Sequence, residues 1–261
     1  MKIAIIGGGN LGTAMAEGLV VSKFSKPADL IVTKRNLSTI QHLKDKKIQI
    51  STGNKQAVKK SDVIILAVKP FQVAGVLEEI KDELTSAKLF ISVVTGVTIA
   101  EIDGIIKKKL PMFRAMPNTA IAIQQSMTCL CSQHASIAQV NYVTELFSTV
   151  GKVVTIDEEL MEAATILGAC GTAYAMRYIR ANIQGGIEIG FDAATASLIA
   201  AQTVKGAADL LLIKGTHPEQ EIDKVTTPKG CTIAGLNEME HQGFSSSLIR
   251  GVVTSYRKIA K

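Results

Sequence analysis

The chain has 261 residues, of which 47% are hydrophobic and 20% are charged, with a net charge of +6. The length fits one large domain or two ordinary domains, and the apolar content excludes general disorder. Apolar runs such as residues 63–68 are far shorter than the roughly 18 residues of a membrane span. Near the N-terminus only residues 3–6 are continuously apolar, too few for the roughly 7–15 residues of a signal-peptide core. We therefore expect a cytoplasmic protein that does not associate with a membrane.

The positive charge is concentrated in the first part of the chain. Residues 1–152 hold 19 Lys and Arg against 11 Asp and Glu, whereas residues 153–261 hold 10 against 12. A basic region of this kind is typical of binding to nucleic acid or to a phosphate-bearing cofactor. The absence of Trp, an aromatic content of 4% and the dispersal of the lysines argue against nucleic acid. A phosphate-bearing cofactor is the expected partner.

The four cysteines follow neither a metal-binding nor a disulfide pattern. Cys129 and Cys131 are two residues apart in an apolar stretch, which places them on one face of a predicted strand. Together with Cys170 and Cys231 they form no CxxC pair and no Cys/His cluster with the spacing of metal ligands. We expect reduced thiols and no metal site.

The first half alternates between short apolar runs and helical patterns. Strands are predicted at residues 2–6, 30–32, 63–68, 89–94, 113–116 and 127–130. Helical spacing of apolar residues marks residues 10–21, 71–81 and 99–108. This alternation predicts βαβ units with right-handed crossovers and a parallel sheet. Residues 1–156 are therefore predicted to form a doubly wound, Rossmann-like α/β domain.

A glycine motif lies where the first predicted strand meets the first predicted helix. Gly7, Gly9 and Gly12 form a GxGxxG sequence directly after the apolar run. In this setting the first glycine permits a tight turn, the second lets a pyrophosphate approach the backbone, and the third lets the helix pack closely on the strand. Asn10 and Leu11 begin the helix, whose N-terminus attracts phosphate. The motif predicts a dinucleotide site.

The end of the second predicted strand indicates which dinucleotide binds. Proteins that bind NAD usually place Asp or Glu there, as an acceptor for the ribose 2′-hydroxyl. This chain has Lys34 and Arg35 instead. A guanidinium can hold a 2′-phosphate through charge-assisted hydrogen bonds, and a lysine adds a second positive charge. The sequence favours NADP(H), with NAD(H) as the alternative.

The second half is helical by pattern. A long helix is predicted from Asp157 to about Gln184, with a break at Gly185-Gly186 and Gly190. Asp192 caps a second long helix, and Thr227-Pro228 is predicted to start a third. The first of these helices is rich in Ala and Gly, which allow another helix to approach closely. Residues 157–261 are predicted to form an all-α dimerisation domain; an ordinary helical domain of a monomer is the alternative.

Several segments resemble pyrroline-5-carboxylate reductase, and the likeness extends over nearly the whole chain. The matching segments are residues 5–12, 66–70, 114–119, 200–203 and 223–236, followed by Glu240 and Gly243-Phe244. The segment at residues 223–236, DKVTTPKGCTIAGL, is the most specific, since the glycine motif is shared by many dehydrogenases. The chain departs from the family pattern at Thr172, Thr216 and Lys229; the last of these stands where the family usually has glycine.

The resemblance implies an oxidoreductase that reduces 1-pyrroline-5-carboxylate to L-proline, the last step of proline biosynthesis, by hydride transfer to the imine carbon. It assigns Thr165 to a position near the substrate nitrogen, and Asn54 to the adenosine half of the cofactor. The expected assembly is at least a homodimer, with a pentamer of dimers as a larger form. The alternatives are a β-hydroxyacid dehydrogenase or imine reductase of similar architecture, or a non-catalytic protein that senses NADP(H).

The remaining site residues follow from the chemistry that such a reaction needs. A substrate carboxylate needs an anion site, which backbone N–H groups and a hydroxyl at a helix start can form. The residues predicted for it are Thr227, Lys229, Gly230, Cys231 and Thr232. Ligands of doubly wound domains bind at the carboxyl ends of the strands. The residues predicted there for cofactor binding are Ala67, Val68, Lys69, Met116, Pro117 and Asn118.

Overall fold

The computed structural model describes residues 1–260, which divide into two compact units. The first unit comprises residues 1–170 together with Ile259 and Ala260, and the second comprises residues 171–258. The boundary between the two compact units lies after residue 170, later in the chain than the predicted boundary between residues 156 and 157. The physical reason is that the start of the long helical stretch packs on the sheet of the first unit, where Met161 and Ile166 are buried.

The first unit is built on one sheet of eight strands. In chain order these are β1 (Ile3–Ile6), β2 (Leu30–Thr33), β3 (Gln49–Ser51), β4 (Val63–Leu66), β5 (Leu89–Ser92), β6 (Met112–Met116), β7 (Ser126–Gln133) and β8 (Gly151–Thr155). Their order in the sheet is β3-β2-β1-β4-β5-β6-β7-β8. The strands from β3 to β6 are parallel, β7 is antiparallel to β6, and β8 is parallel to β7.

This strand order reverses between β1 and β4. Chain order runs outward from β1 through β2 to β3 on one side, and from β4 onward on the other. In doubly wound sheets such a switch point opens a crevice at the carboxyl ends of the strands, where ligands bind. The register pairs Ile6 with Leu66, so the residues that follow β1 and β4 lie side by side. The predicted Rossmann-like fold is confirmed.

Helices cover both faces of the sheet. In chain order they are α1 (Asn10–Val21), α2 (His42–Asp45), α3 (Asn54–Lys59), α4 (Val73–Ile80), α5 (Ile99–Ile106) and α6 (Ile137–Ser148). Alternate residues of β1 belong to separate apolar clusters, one containing Ile3 and Ile5 and the other Ala4 and Ile6. Burial on both faces explains why the parallel strands are continuously apolar in sequence.

The chain leaves β8 through three short helical segments. These are a 3₁₀ turn (Glu158–Leu160), α7 (Met161–Ala164) and a π-helical segment (Thr165–Cys170). The second unit follows, with α8 (Gly171–Glu188), α9 (Ala193–Lys214), α10 (Pro218–Lys224), α11 (Cys231–His241) and α12 (Phe244–Ile259). Among residues 1–260, only α9 is long and apolar enough to cross a membrane by length and composition, a weak criterion that helices of soluble proteins also meet.

Helices α8 and α9 pack closely through small residues. A Cβ atom added to Gly186 would lie 3.2 Å from Cβ of Ala196. A groove of about 500 Å³ runs between the two helices, lined by residues that include Tyr178, Ile189 and Thr203. The all-helical character predicted for the second half is confirmed for this unit.

The structure corrects four details of the sequence prediction. The run at residues 127–130 lies in β7, which is antiparallel to β6, so the sheet is mixed. The short strands β3 and β8 were not predicted. Helix α8 continues through Gly185-Gly186 to Glu188, and Gly190, with φ +113°, ends it. The third predicted helix starts at Cys231 rather than at Thr227-Pro228, because Lys229 has a left-handed φ of 60° that no helix accepts.

Candidate active site

The glycine loop joins β1 to α1 at the carboxyl end of β1. Gly7 has φ +116°, and a Cβ there would lie 2.4 Å from the carbonyl oxygen of Ala67. A Cβ on Gly12 would lie 2.1 Å from the carbonyl oxygen of Gly7. Gly9 differs, because nothing lies within 4 Å of its Cβ position. Gly7 and Gly12 therefore allow close backbone packing, and Gly9 leaves open space at the start of α1.

The start of α1 suits the binding of an anion. Gly9 is the N-cap and makes no side-chain capping bond, and no acidic residue lies in the first turn. The first N–H groups of the helix, including those of Asn10 and Leu11, therefore have no partner within the helix and stand at its positive end. The open space at Gly9 admits a phosphate group to these donors. A dinucleotide pyrophosphate fits the loop in both shape and charge.

The end of β2 lies beside this loop. The carbonyl oxygen of Thr33 accepts hydrogen bonds from the N–H groups of Gly7 and Gly8, at 3.2 and 2.7 Å. Lys34 is half-buried and Arg35 is exposed. In the described part of the chain, neither cation has a carboxylate within ion-pair distance. The positive charges of Lys34 and Arg35 thus lie next to the glycine loop without a paired carboxylate among the described residues.

Asn54 is held at the same edge by its own side chain. Its Oδ1 accepts a hydrogen bond from Thr33 Oγ1 at 2.6 Å, and its Nδ2 donates to Glu79 Oε2 at 2.9 Å. The amide is therefore fixed between β2 and α4. This places the predicted adenosine-contacting residue close to the end of β2.

The other predicted cofactor residues follow β4 and β6. Ala67 and Val68 are half-buried and Lys69 is exposed, while Met116 and Pro117 are buried. Asn118 is 8% exposed, and its side chain bonds within the protein: Nδ2 donates to the carbonyl of Gly168 at 3.2 Å, and Oδ1 accepts from the Ala120 N–H at 3.1 Å. All the predicted cofactor residues thus lie along the carboxyl edge of the parallel strands.

Thr165 begins the π-helical segment of the first unit. Its side chain is 4% exposed, and its hydroxyl donates a hydrogen bond to the carbonyl oxygen of Met161 at 2.8 Å. A carbonyl oxygen can only accept, so the hydroxyl proton is committed to that bond. The oxygen of Thr165 keeps its lone pairs for a donor. π-Helical segments such as the one that Thr165 begins are frequent at functional sites.

Arg114 was not predicted as a site residue, although it carries the most buried charge near the edge. It lies within β6, is 1% exposed, and forms ion pairs with Glu158 at 3.0 Å and with Glu162 at 3.1 Å. The signal in the sequence is an arginine inside an otherwise apolar strand, followed later by two glutamates four residues apart on a helical segment. Such an isolated buried cation requires partners.

The predicted carboxylate turn belongs to the second unit. The N–H of Gly230 donates to the carbonyl of Thr227 at 2.9 Å, and a Cβ on Gly230 would lie 2.6 Å from Thr227 Oγ1. Gly230 is the N-cap of α11 and offers no side-chain bond to the helix start, where Cys231 and Thr232 are exposed. The first N–H groups of α11 are therefore unpaired within the helix. The turn has the donors that an anion site needs.

The cysteines are free thiols, and Cys129 and Cys131 lie buried in β7 as predicted. Burial, together with the charge of Glu158, raises the pKa of Cys131 to about 11, so it is not a nucleophile near neutral pH. In residues 1–260, no group of three or more His, Cys, Asp and Glu side chains is arranged to hold a metal ion.

These features define the class of the protein. A doubly wound sheet, a glycine loop at its switch point and an open helix start beside that loop are the marks of an oxidoreductase that uses a nicotinamide dinucleotide. Family models agree with this assignment in both halves. Residues 2–96 match the family described as NADP oxidoreductase coenzyme F420-dependent, and residues 158–261 match the family described as pyrroline-5-carboxylate reductase dimerisation.

Individual relatives are similar over nearly the whole chain. A pyrroline-5-carboxylate reductase 2 of Dictyostelium discoideum is 46% identical over 100% of this chain and 92% of its own length. Pyrroline-5-carboxylate reductase 1 of the same organism is 48% identical over 99% of this chain, which spans only 49% of that longer relative. The crystal structure of a Plasmodium falciparum pyrroline carboxylate reductase with NADP bound superposes with a TM-score of 0.91 at 26% identity, covering 99% of this chain and 97% of that one. The chain belongs to the pyrroline-5-carboxylate reductase family.

Proposed function

We propose that the protein reduces 1-pyrroline-5-carboxylate to L-proline with NADPH as hydride donor. One observation carries the proposal: the chain has a second candidate anion site besides the one for the dinucleotide. The dinucleotide site lies at the carboxyl edge of the sheet in the first unit. The second is the open start of α11 in the second unit, within the segment most specific to the family. A dinucleotide-binding protein that only sensed NADP(H) would need no second anion site. The substrate has a carboxylate that such a site accommodates.

The carboxylate of the substrate binds at the turn before α11. The N–H groups of Cys231 and Thr232 and the hydroxyl of Thr232 are its donors. Gly230 and Thr227 shape the turn, because the N–H of Gly230 donates to the carbonyl of Thr227. Lys229, exposed at the tip of the turn, adds a positive charge. These donors keep the substrate in place. Their interaction with the carboxylate is equally strong in the substrate and in the transition state, because the carboxylate is charged throughout.

Thr165 accepts a hydrogen bond from the nitrogen of the substrate. Because its hydroxyl proton is directed to Met161, its oxygen can receive an N–H but cannot supply a proton to the imine. This arrangement selects the protonated imine, which is the better hydride acceptor because its ring carbon is more electrophilic. The proton is taken up from solvent before the transfer, and the Thr165 oxygen orients the N–H that results.

The cofactor is held by the carboxyl edge of the first unit. Gly9 and the first N–H groups of α1, at Asn10 and Leu11, bind the pyrophosphate, and Asn54 contacts the adenosine half. The edge residues that follow β4 and β6 line the nicotinamide end: Ala67, Val68, Lys69, Met116, Pro117 and Asn118. When bound, the reduced nicotinamide supplies the hydride that the chain's own residues cannot.

The cofactor is NADPH in preference to NADH. Arg35 and Lys34 have no acidic partners in residues 1–260 and no carboxylate stands beside them at the end of β2. A 2′-phosphate gains charge-assisted hydrogen bonds there, whereas the 2′-hydroxyl of NADH lacks the acceptor that NAD-specific sites provide. NADH serves as the weaker donor.

We propose that the active form is at least a homodimer in the cytoplasm, with a pentamer of dimers as one larger form. Support comes from the second unit, where large apolar side chains are exposed on α9, with Leu198 71%, Leu212 73% and Ile213 83% exposed. The groove between α8 and α9 is similarly apolar. Large exposed apolar surface of this kind is typical of an interface between chains.

A substrate panel separates this function from its alternatives. Purified protein is mixed with NADPH and one of three compounds: 1-pyrroline-5-carboxylate, 1-pyrroline without the carboxylate, or a small 3-keto acid. We expect NADPH oxidation with the first and far slower oxidation with the second, because 1-pyrroline lacks the carboxylate that fills the anion site. Faster oxidation with the keto acid would favour a β-hydroxyacid dehydrogenase, and oxidation with none would favour a sensing protein.

A further inference from the structure

Arg114 is the most deeply buried charged side chain among the described residues. It lies in β6 between Phe113 and Ala115, with 1% of its surface exposed, and its Nε has no hydrogen-bond partner among residues 1–260. Removing a guanidinium from water is costly. A whole buried ion-pair cluster can often be replaced by apolar side chains of similar volume without loss of stability, whereas removing one partner alone leaves uncompensated charge. The position of its two partners suggests why an arginine stands here.

The partners lie on the helical segment that leads to Thr165. Nη1 of Arg114 donates to Oε1 of Glu158 at 3.0 Å, and Nη2 donates to Oε1 of Glu162 at 3.1 Å. Glu158 Oε1 also accepts the N–H of Ile99, the first residue of α5, at 2.7 Å. One planar fork thus joins two carboxylates four residues apart, a geometry that a single ammonium group does not match.

A second attachment holds the same segment beyond Thr165. Asn118, just after β6, donates from Nδ2 to the carbonyl of Gly168 at 3.2 Å. Thr165 lies three residues after Glu162 and three before Gly168, between two bonds that tie the segment to β6 and its exit. These attachments constrain where the Thr165 oxygen can be.

We infer that Arg114 is a positioning residue: through Glu158 and Glu162 it fixes the segment that presents the Thr165 oxygen to the substrate nitrogen. The inference rests on the proposed function, which gives Thr165 that role. Catalytic groups depend steeply on placement, and a shift of about 1 Å can cost roughly 100-fold in rate. A buried arginine retained only for stability would lower the melting temperature when replaced and leave the rate of the folded enzyme unchanged.

A double-mutant cycle tests the inference on the full-length protein. Arg114→Met, Arg114→Lys and Thr165→Val are compared with the double variant Arg114→Met/Thr165→Val, each below its melting temperature. We expect Arg114→Met to lower kcat for 1-pyrroline-5-carboxylate by about 10- to 100-fold, with KM for NADPH little changed and partial recovery in Arg114→Lys. In the Thr165→Val background the same change should cost little further kcat, because the group it positions is gone.

Two controls complete the design. Lys46→Met removes the exposed ion pair with Glu17 and should leave kcat unchanged. Glu162→Gln neutralises one of the two carboxylates that pair with Arg114. It replaces Arg114→Met in the cycle if Arg114→Met does not fold. Equal losses of kcat in both backgrounds, or an unchanged kcat, overturn the inference. Failure of the wild-type protein to reduce the imine contradicts the proposed function instead. In that case amide hydrogen exchange in residues 165–170 tests the positioning by itself. Exchange should be faster in Arg114→Met than in the wild-type protein, because the segment is released.

Discussion

The hydroxyl of Thr33 donates a hydrogen bond to Oδ1 of Asn54 over 2.6 Å and joins the end of β2 to the start of α3. Glu79 accepts from the other end of the same amide, so its orientation is set from both sides. The carbonyl of Thr33 also holds the glycine loop through Gly7 and Gly8. One strand end thus organises the loop, the amide and the two cations that follow it.

The cation pair is the feature that discriminates between cofactors. Arg35→Asp should raise KM for NADPH by more than about tenfold, since a hydrogen bond to a charged group contributes about 1.5–3 kcal/mol and the new carboxylate repels a 2′-phosphate. KM for NADH should change little. Steady-state kinetics with both cofactors check this, and equal changes in the two KM values would show that Arg35 does not contact the 2′-phosphate.

The glycines of the loop have separable roles. Gly12→Ala places a Cβ 2.1 Å from the carbonyl of Gly7 and should lower the melting temperature markedly, because backbone must move. Gly9→Ala meets nothing within 4 Å and should fold with an unchanged melting temperature, yet bind NADPH more weakly. Thermal unfolding and cofactor titration of the two variants provide matched controls for each other. A loss of stability in Gly9→Ala with normal NADPH affinity would reverse these assignments.

The sequence predicted the fold because its main determinants are local. Continuous apolar runs, the glycine motif and the acidic helix starts each carry their own signal, and the six predicted strands are all present. The antiparallel direction of β7 was not predictable in this way, since the apolar pattern of a buried strand does not indicate its direction in the sheet. Gly185-Gly186 was misread as a helix end because close packing on Ala196, a tertiary contact, holds α8 together there.

The site was predictable only where residues act through the backbone or through a motif. The role of Arg114 depends on partners 44 and 48 residues away, a pairing that sequence spacing does not show. The late start of α11 depends on a left-handed φ at Lys229, a conformation for which glycine rather than lysine is the usual sequence signal.

The exposed apolar surface of the second unit should make the protein an obligate oligomer. Sedimentation at assay concentration should give at least the mass of a dimer, with activity in that species. Leu212→Glu, a charge at a side chain 73% exposed in the single chain, should dissociate it. Lys205→Glu, a charge change at an already polar position of α9, is the control. Full activity in a sedimenting monomer would contradict the prediction.

The hydroxyl of Thr232 tests the carboxylate turn. Thr232→Val is nearly isosteric and leaves the backbone N–H groups of the turn in place. It should lower kcat/KM for the imine by about 10- to 100-fold, mainly through KM, since a bond to a charged group is lost that is equally present in substrate and transition state. L-Proline should inhibit more weakly as well. If the variant weakens NADPH binding and leaves KM for the imine unchanged, the turn has been assigned to the wrong ligand.

The central claim, hydride transfer to the carboxylate-bearing imine, is tested most directly by isotope transfer. The protein is incubated with 1-pyrroline-5-carboxylate and NADPH that carries deuterium at the transferable position of the nicotinamide, and the products are analysed by mass spectrometry and chiral chromatography. The account predicts one proline per NADPH consumed, of the L configuration, with deuterium on the ring carbon that was the imine carbon. NADPH consumption without proline, or proline without deuterium at that carbon, would contradict it.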